Sequence, residues 1–250
     1  MRLCRVIHEG DARYGIVGDE GAIMLISDEP FAAWEPVAEI PLLGAEFLAP
    51  VVPTKVVCVG VNYRDHAAEM AHELPAVPVL FLKPPTSVIG EGADIVWPDM
   101  AARVDHECEL AVVIGRHTRR VTVEEARAAV LGFTCANDVT ARDLQQVDGQ
   151  WSRAKGFDTF CPLGPWVDTE VDPADLAIEC WVDGQSRQAG RTSDMIFDPM
   201  TLVSFISNVM TLLPGDVVLT GTPGGIGPMD RGDQVEVRIE GVGTLHNRLI

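Results

Sequence analysis

Glu107, Glu109 and Asp138 are carboxylates placed where apolar segments begin or end. The first two lie two residues apart in an extended stretch, Val104-Asp-His-Glu-Cys-Glu-Leu, so both side chains leave one face of a strand. Leu110-Ala-Val-Val-Ile114 follows directly, an apolar run of the kind that fills a core on both sides. A second apolar segment, Leu131-Gly-Phe-Thr-Cys-Ala136, delivers Asn137 and Asp138 in the same way. Three carboxylates gathered at the mouth of a core repel one another and are costly to desolvate unless a cation neutralises them. An all-oxygen set suits a hard ion, Mg2+, Mn2+ or Ca2+, and argues against Zn2+ or Cu. The plainer reading is an exposed strand edge with alternating acids, which is common in a chain this acidic.

A candidate acid–base pair precedes them. His66 and Glu69 are three residues apart in Asn62-Tyr-Arg-Asp-His-Ala-Ala-Glu69, so on a helix they share a face and can hydrogen-bond. A carboxylate that orients an imidazole and stabilises its protonated form makes a general base near neutral pH. A solvated helix face would show the same spacing. Arg142 follows Asp138 by one turn and either pairs with Asp143 or reaches a substrate carboxylate bidentately. Lys155 is a lone lysine beside a glycine, a pattern that is usually solvent-facing. In Leu219-Thr-Gly-Thr-Pro-Gly-Gly-Ile-Gly227 a strand runs into a glycine-rich turn without the Gly-Lys-Ser/Thr of a P-loop. Its backbone N–H groups can approach an anion closely, or it is simply a tight turn.

The elements that must position these residues read as mostly β. The first 50 residues form a small appendage of strands, Leu3–Ile7, Tyr14–Val17 and Ala22–Ile26, with a boundary in Phe47–Pro53. Residues 51–250 hold the rest: strands at Lys55–Gly60, Val79–Lys83 and Cys161–Val167, and a hairpin around Asp183-Gly184. They also hold a capped helix from Thr122 and an amphipathic helix opened by Asp198-Pro199. His72–Pro78, with two prolines, reads as a mobile loop that suits a lid. Lys and Arg number 19 against 37 Asp and Glu, a net charge of −18, which speaks against nucleic acid and anionic membrane surfaces as partners. The six cysteines form no C-x-x-C pair and lie mostly in apolar runs, as reduced core thiols do. No apolar stretch approaches the ~18 residues of a membrane helix, and the N-terminus lacks a signal-peptide core, so a cytoplasmic protein is expected.

Taken in order, six motifs resemble the fumarylacetoacetate hydrolase family. They are Gly60-Val-Asn-Tyr-x-x-His66-x-x-Glu69, Asp105-His-Glu-Cys-Glu109, Asn137-Asp-Val-Thr-Ala-Arg-Asp-Leu-Gln145, Ala154-Lys-Gly-Phe-Asp158, Thr192–Phe197 and the glycine-rich turn. The resemblance implies an α+β, mostly β fold, a rolled mixed β-sandwich, as a homodimer. It implies that Glu107, Glu109 and Asp138 hold Mg2+ or Mn2+, and that His66 and Glu69 form a catalytic dyad on a lid. It further implies that Arg142, Gln145, Lys155 and Thr222, with the backbone at Gly221, meet the oxygens of a small 2-oxo acid, Lys155 also stabilising the enolate that forms. Hydrolysis of a carbon–carbon bond in an acylpyruvate is the expected reaction. A 2-hydroxyhepta-2,4-diene-1,7-dioate isomerase or an oxaloacetate decarboxylase is the alternative, and a non-catalytic metal-stabilised binding protein the alternative of another class. The substrate's tail is expected to meet Ala67–Pro78 and Gln146–Arg153.

Overall fold

The computed structural model describes residues 1–18, 20–69 and 73–250. Its N-terminal strands are β1 (Arg2–His8), β2 (Asp11–Val17), β3 (Ala22–Ile26), β4 (Pro36–Pro41) and β5 (Glu46–Leu48). Then come β6 (Val56–Gly60), α1 (Arg64–Glu69), β7 (Val79–Lys83), β8 (Val88–Ile89) and β9 (Asp94–Ile95). The central motif supplies β10 (Val104–His106), β11 (Cys108–Ile114), α2 (Val123–Ala126), β12 (Val130–Asn137), β13 (Thr140–Ala141), α3 (Arg142–Asp148) and α4 (Ser152–Lys155). The chain closes with β14 (Cys161–Asp168), β15 (Ala177–Val182), β16 (Gln185–Arg191), α5 (Pro199–Val209), β17 (Val217–Leu219), β18 (Gly227–Met229), β19 (Gln234–Ile239) and β20 (Gly243–Leu249).

The strands make a rolled, mixed β structure. A long sheet runs β4-β3-β2-β1-β14-β12-β11-β17-β6-β7, a second runs β16-β15-β19-β20-β9, and a small one runs β13-β10-β18. Leu110 to Ile114 in β11 have no exposed surface, because residues on one side face the largest core and those on the other a second core. Each large side chain buried there contributes roughly 1.5–3 kcal/mol. The expected hairpin has Asp183 and Gly184 both at positive φ, the geometry a two-residue turn between twisted strands requires. Thr122 and Glu125 form the expected capping box, and Asp198 caps α5 through Met200 and Thr201.

The N-terminal strands surround a small core of their own, and β1 also pairs with β14 of the long sheet. Glu107 departs from the single strand expected for the acidic motif. It sits at a break between β10, which pairs with β13 and β18, and β11, which pairs with β12 and β17. Of the loop expected at His72–Pro78, His72 lies outside the described residues, and 73–78 carry no regular structure.

Candidate active site

Strand register gathers the three acids. Cys108 pairs with Asn137 and Glu109 with Ala136, so Asp138 emerges beside Glu107, and the Asp138 N–H donates to the Glu107 carbonyl at 2.9 Å. The break at Glu107 is held by its own N–H, which donates to the Asn137 side chain at 3.0 Å. One ligand atom from each of Glu107, Glu109 and Asp138 lies within 4.8 Å of the other two, and all three residues are buried. Oxygens sharing a hard divalent ion at 2.0–2.6 Å are separated by about 3–5 Å, so the donor set fits Mg2+, Mn2+ or Ca2+.

Two cations partly balance these charges. Lys155 is almost fully buried, not solvent-facing, and its ammonium donates to Glu107 at 2.8 Å and Asp138 at 2.7 Å. Burial works against that charge, but Asp138 and Glu107 outweigh it and raise the pKa of Lys155. Arg142 does not pair with Asp143, whose carboxylate instead accepts from the N–H groups of Ala102 and Arg103. Its guanidinium donates to Asp105 at 2.9 Å, to Gln145 at 2.5 Å and to Glu107. Burial alone would raise the Glu107 carboxyl, yet Lys155 and Arg142 hold it well below the usual range.

Glu109 is the exception. Among the described residues its hydrogen-bond partner is the Gly221 N–H at 2.6 Å, and burial, reinforced by Asp138 and Glu107, pushes its pKa well above the usual carboxylate value. Asp138 also keeps one buried oxygen without a hydrogen bond. That oxygen lies 2.8 Å from the Lys83 ammonium, but Lys83 donates to the carbonyls of Val139, Lys155 and Phe160. A carboxylate set with one acid, Glu109, that no lysine or arginine pairs with is chemically suited to a further cation.

α1 brings the acid–base pair to the same place. His66 is nearly buried, and its Nδ1 lies 3.4 Å from Glu69, so Nε2 is left for a reacting group. The glycine-rich turn anchors this helix: the N–H of Gly224 donates to Asp65 and that of Gly225 to Glu69. Those N–H groups, like that of Gly221, thus serve the protein's own carboxylates. A cavity of about 320 Å³ is lined by His66, Glu107, Glu109, Asp138, Arg142, Gln145, Lys155 and Thr222. Sequence reasoning expected every one of these eight at the site.

It missed Gln188 of β16, Asp105 and Lys83. The Gln188 carbonyl accepts from the Cys108 N–H and meets His106 Nδ1, both at 3.0 Å, while its amide donates to Thr222 and the Pro223 carbonyl. It therefore ties the strand between two of the clustered acids to the turn that holds Glu109. Asp105, fully buried, is the anchor of Arg142. Its position two residues before Glu107 was an available signal; Gln188, inside a polar hairpin, offered none.

The fold and site define a β-rich protein in which a buried acidic cluster opens into a cavity beside a histidine–glutamate pair. Residues 55–250 match the family described as "Fumarylacetoacetate (FAA) hydrolase C-terminal", and residues 1–50 match "Rv2993c-like, N-terminal". The chain belongs to the fumarylacetoacetate hydrolase family. It is 53% identical to Protein Rv2993c of Mycobacterium tuberculosis, over 84% of this chain and 80% of that one. It is 41% identical to the human mitochondrial oxaloacetate tautomerase FAHD2A, over 92% of this chain and 76% of that one. Among solved structures, the 2-hydroxyhepta-2,4-diene-1,7-dioate isomerase from Mycobacterium marinum superposes with a TM-score of 0.93 at 46% identity, covering 100% of this chain and 98% of that one.

Proposed function

We propose that this chain is a divalent-metal-dependent enzyme that enolises a small 2-oxo acid, a tautomerase or isomerase. The observation that carries it is one imidazole, His66, backed by Glu69 and opening on the same cavity as the three acids and Lys155. Enolisation asks for those parts: one base that takes a proton and returns it, and positive charge where the enolate oxygen develops. A divalent cation held by Glu107, Glu109 and Asp138 would supply most of that charge.

His66 Nε2 removes a proton from C3, and Glu69 stabilises the imidazolium. The Lys155 ammonium stands by the oxygens on which charge accumulates, with Arg142 held beside it by Asp105. Proton return to C3, or to a conjugated carbon further along, completes tautomerisation or isomerisation without net uptake of water. Relatives named as a tautomerase and an isomerase support this over hydrolysis. The family's own description favours hydrolysis as a second reading, in which His66 activates a water toward an acylpyruvate carbonyl.

The same reading places the enzyme in the cytoplasm as a homodimer. The six buried free cysteines suit a reducing compartment, and burial pushes Cys4, Cys161 and Cys180 up to about 12. Among the described residues no helix is long and apolar enough to cross a membrane. The edge strand β7, with Val79 and Leu82 exposed, is a surface a second copy would cover.

The test is exchange of the C3 protons of 2-oxobutanoate in D2O, followed by NMR with Mg2+ and with EDTA. Metal-dependent exchange that His66→Ala abolishes supports enolisation. No exchange, with cleavage of acetylpyruvate into two acids, moves the chain to the hydrolase reading.

A further inference from the structure

The cavity has an apolar side that the acid–base chemistry does not use. Val59, Gly60, Val61, Phe81 and Trp151 line it. Phe81 and Trp151 pack edge to face with ring centroids 5.1 Å apart, and the Lys155 ammonium lies 5.3 Å from the Phe81 centroid. The aromatic pair therefore begins where the charged cluster ends. Trp151 is seated directly on Gly60: a Cβ there would lie 2.6 Å and 2.8 Å from two atoms of the indole ring. Val61 is a β-branched residue at φ +57°, a conformation such residues rarely adopt. The neighbouring Asn62 fixes this backbone, its side chain bonding Phe197 and the Thr220 carbonyl. A strained backbone and a glycine shaped to an indole are features of a built surface.

Among the described residues no counter-charge is left over on that side. Each basic group lining the cavity is already matched: Lys155 with Glu107 and Asp138, Arg142 with Asp105 and Glu107, His66 with Glu69. A second carboxylate at the distal end would be desolvated against Phe81 and Trp151, and the described residues lining the cavity offer it no unpaired cation.

We propose that the substrate is a monocarboxylic 2-oxo acid whose distal end is uncharged and apolar and rests on Trp151 and Phe81. This builds on the enolisation reading, and it separates this chain from relatives named for dicarboxylates.

The experiment compares 5-methyl-2-oxohexanoate with 2-oxoglutarate, which share a heavy-atom count and differ in an isopropyl group against a carboxylate. The readouts are C3 proton exchange by NMR with saturating Mg2+, and dissociation constants by calorimetry. The isopropyl acid is expected to win in both by at least about tenfold, the discrimination an apolar pocket gives. Gly60→Ala, which displaces the indole, lowers exchange of the isopropyl acid only. Trp151→Arg shifts the preference toward 2-oxoglutarate, a gain that a misfolded variant cannot mimic. Equal or better exchange and binding of 2-oxoglutarate overturns the proposal, as does exchange of 2-oxobutanoate with neither longer acid. Absence of exchange with all three acids overturns the enolisation reading instead, and the calorimetric preference then decides the proposal by itself.

Discussion

Glu109→Gln separates the metal-site reading from a purely structural acid cluster. Glu109 is the acid whose charge no lysine or arginine contacts; its partner is the Gly221 N–H, which a glutamine carbonyl oxygen would keep. Its raised pKa means that the stability it contributes is present below the ordinary carboxylate range and lost as pH rises through its folded-state value. Metal-free wild type and variant should thus melt alike near pH 5. Toward pH 8 the variant gains, by about 1–2 kcal/mol or about 2–8 °C in a chain of this size. Metal reverses the order. With free Mg2+ about 1,000-fold above its dissociation constant, wild type gains about 4 kcal/mol, about 8–16 °C. If loss of this ligand weakens binding about 100-fold, the variant gains only about 1.4 kcal/mol, about 3–6 °C. Because Glu109 must give up its proton to bind, the wild-type metal shift should also grow with pH. Scanning calorimetry of both proteins across this pH range, with Mg2+ and with EDTA, measures every quantity. A metal-free variant less stable than wild type at all pH values, or one keeping the full metal shift, refutes the reasoning.

Two further substitutions probe the supports of the site. Gln188→Leu removes the bonds to Cys108, Thr222 and Pro223 without touching an acid, and should weaken Mg2+ binding about 10–100-fold by calorimetry while the circular dichroism spectrum is kept; unchanged affinity would show that β16 does not position the strand. Lys155→Met should move binding and turnover in opposite directions. Freed of the ammonium, Glu107 and Asp138 hold the metal at least as tightly, whereas C3 exchange falls about 100-fold or more; parallel loss of both would assign Lys155 a structural role.

How far the sequence reached depended on whether a residue's partners were close along the chain. Glu107 and Glu109, two apart at the head of an apolar strand, and His66 and Glu69, three apart on one helix, carry their geometry in their spacing. Asp138 needed one added inference, that the strand before it pairs with the strand of the acids, and the register of Cys108 with Asn137 supplies it. Arg142 shows the limit: its neighbour Asp143 was the obvious partner from spacing, but the helix turns the two apart, and Arg142 reaches back to Asp105, 37 residues earlier. Lys155 and Lys83 look like solvent lysines because nothing local marks the carbonyls and carboxylates that gather around them. Gln188 meets Cys108 across 80 residues and a second sheet, so its role is set by how the sheets pack and not by any local pattern. The residues that could move a proton were therefore legible, and those that hold them in place were not. A substitution series guided by motif alone would leave out Asp105, Lys83 and Gln188, the groups on which the aim of Arg142, Asp138 and Glu109 depends.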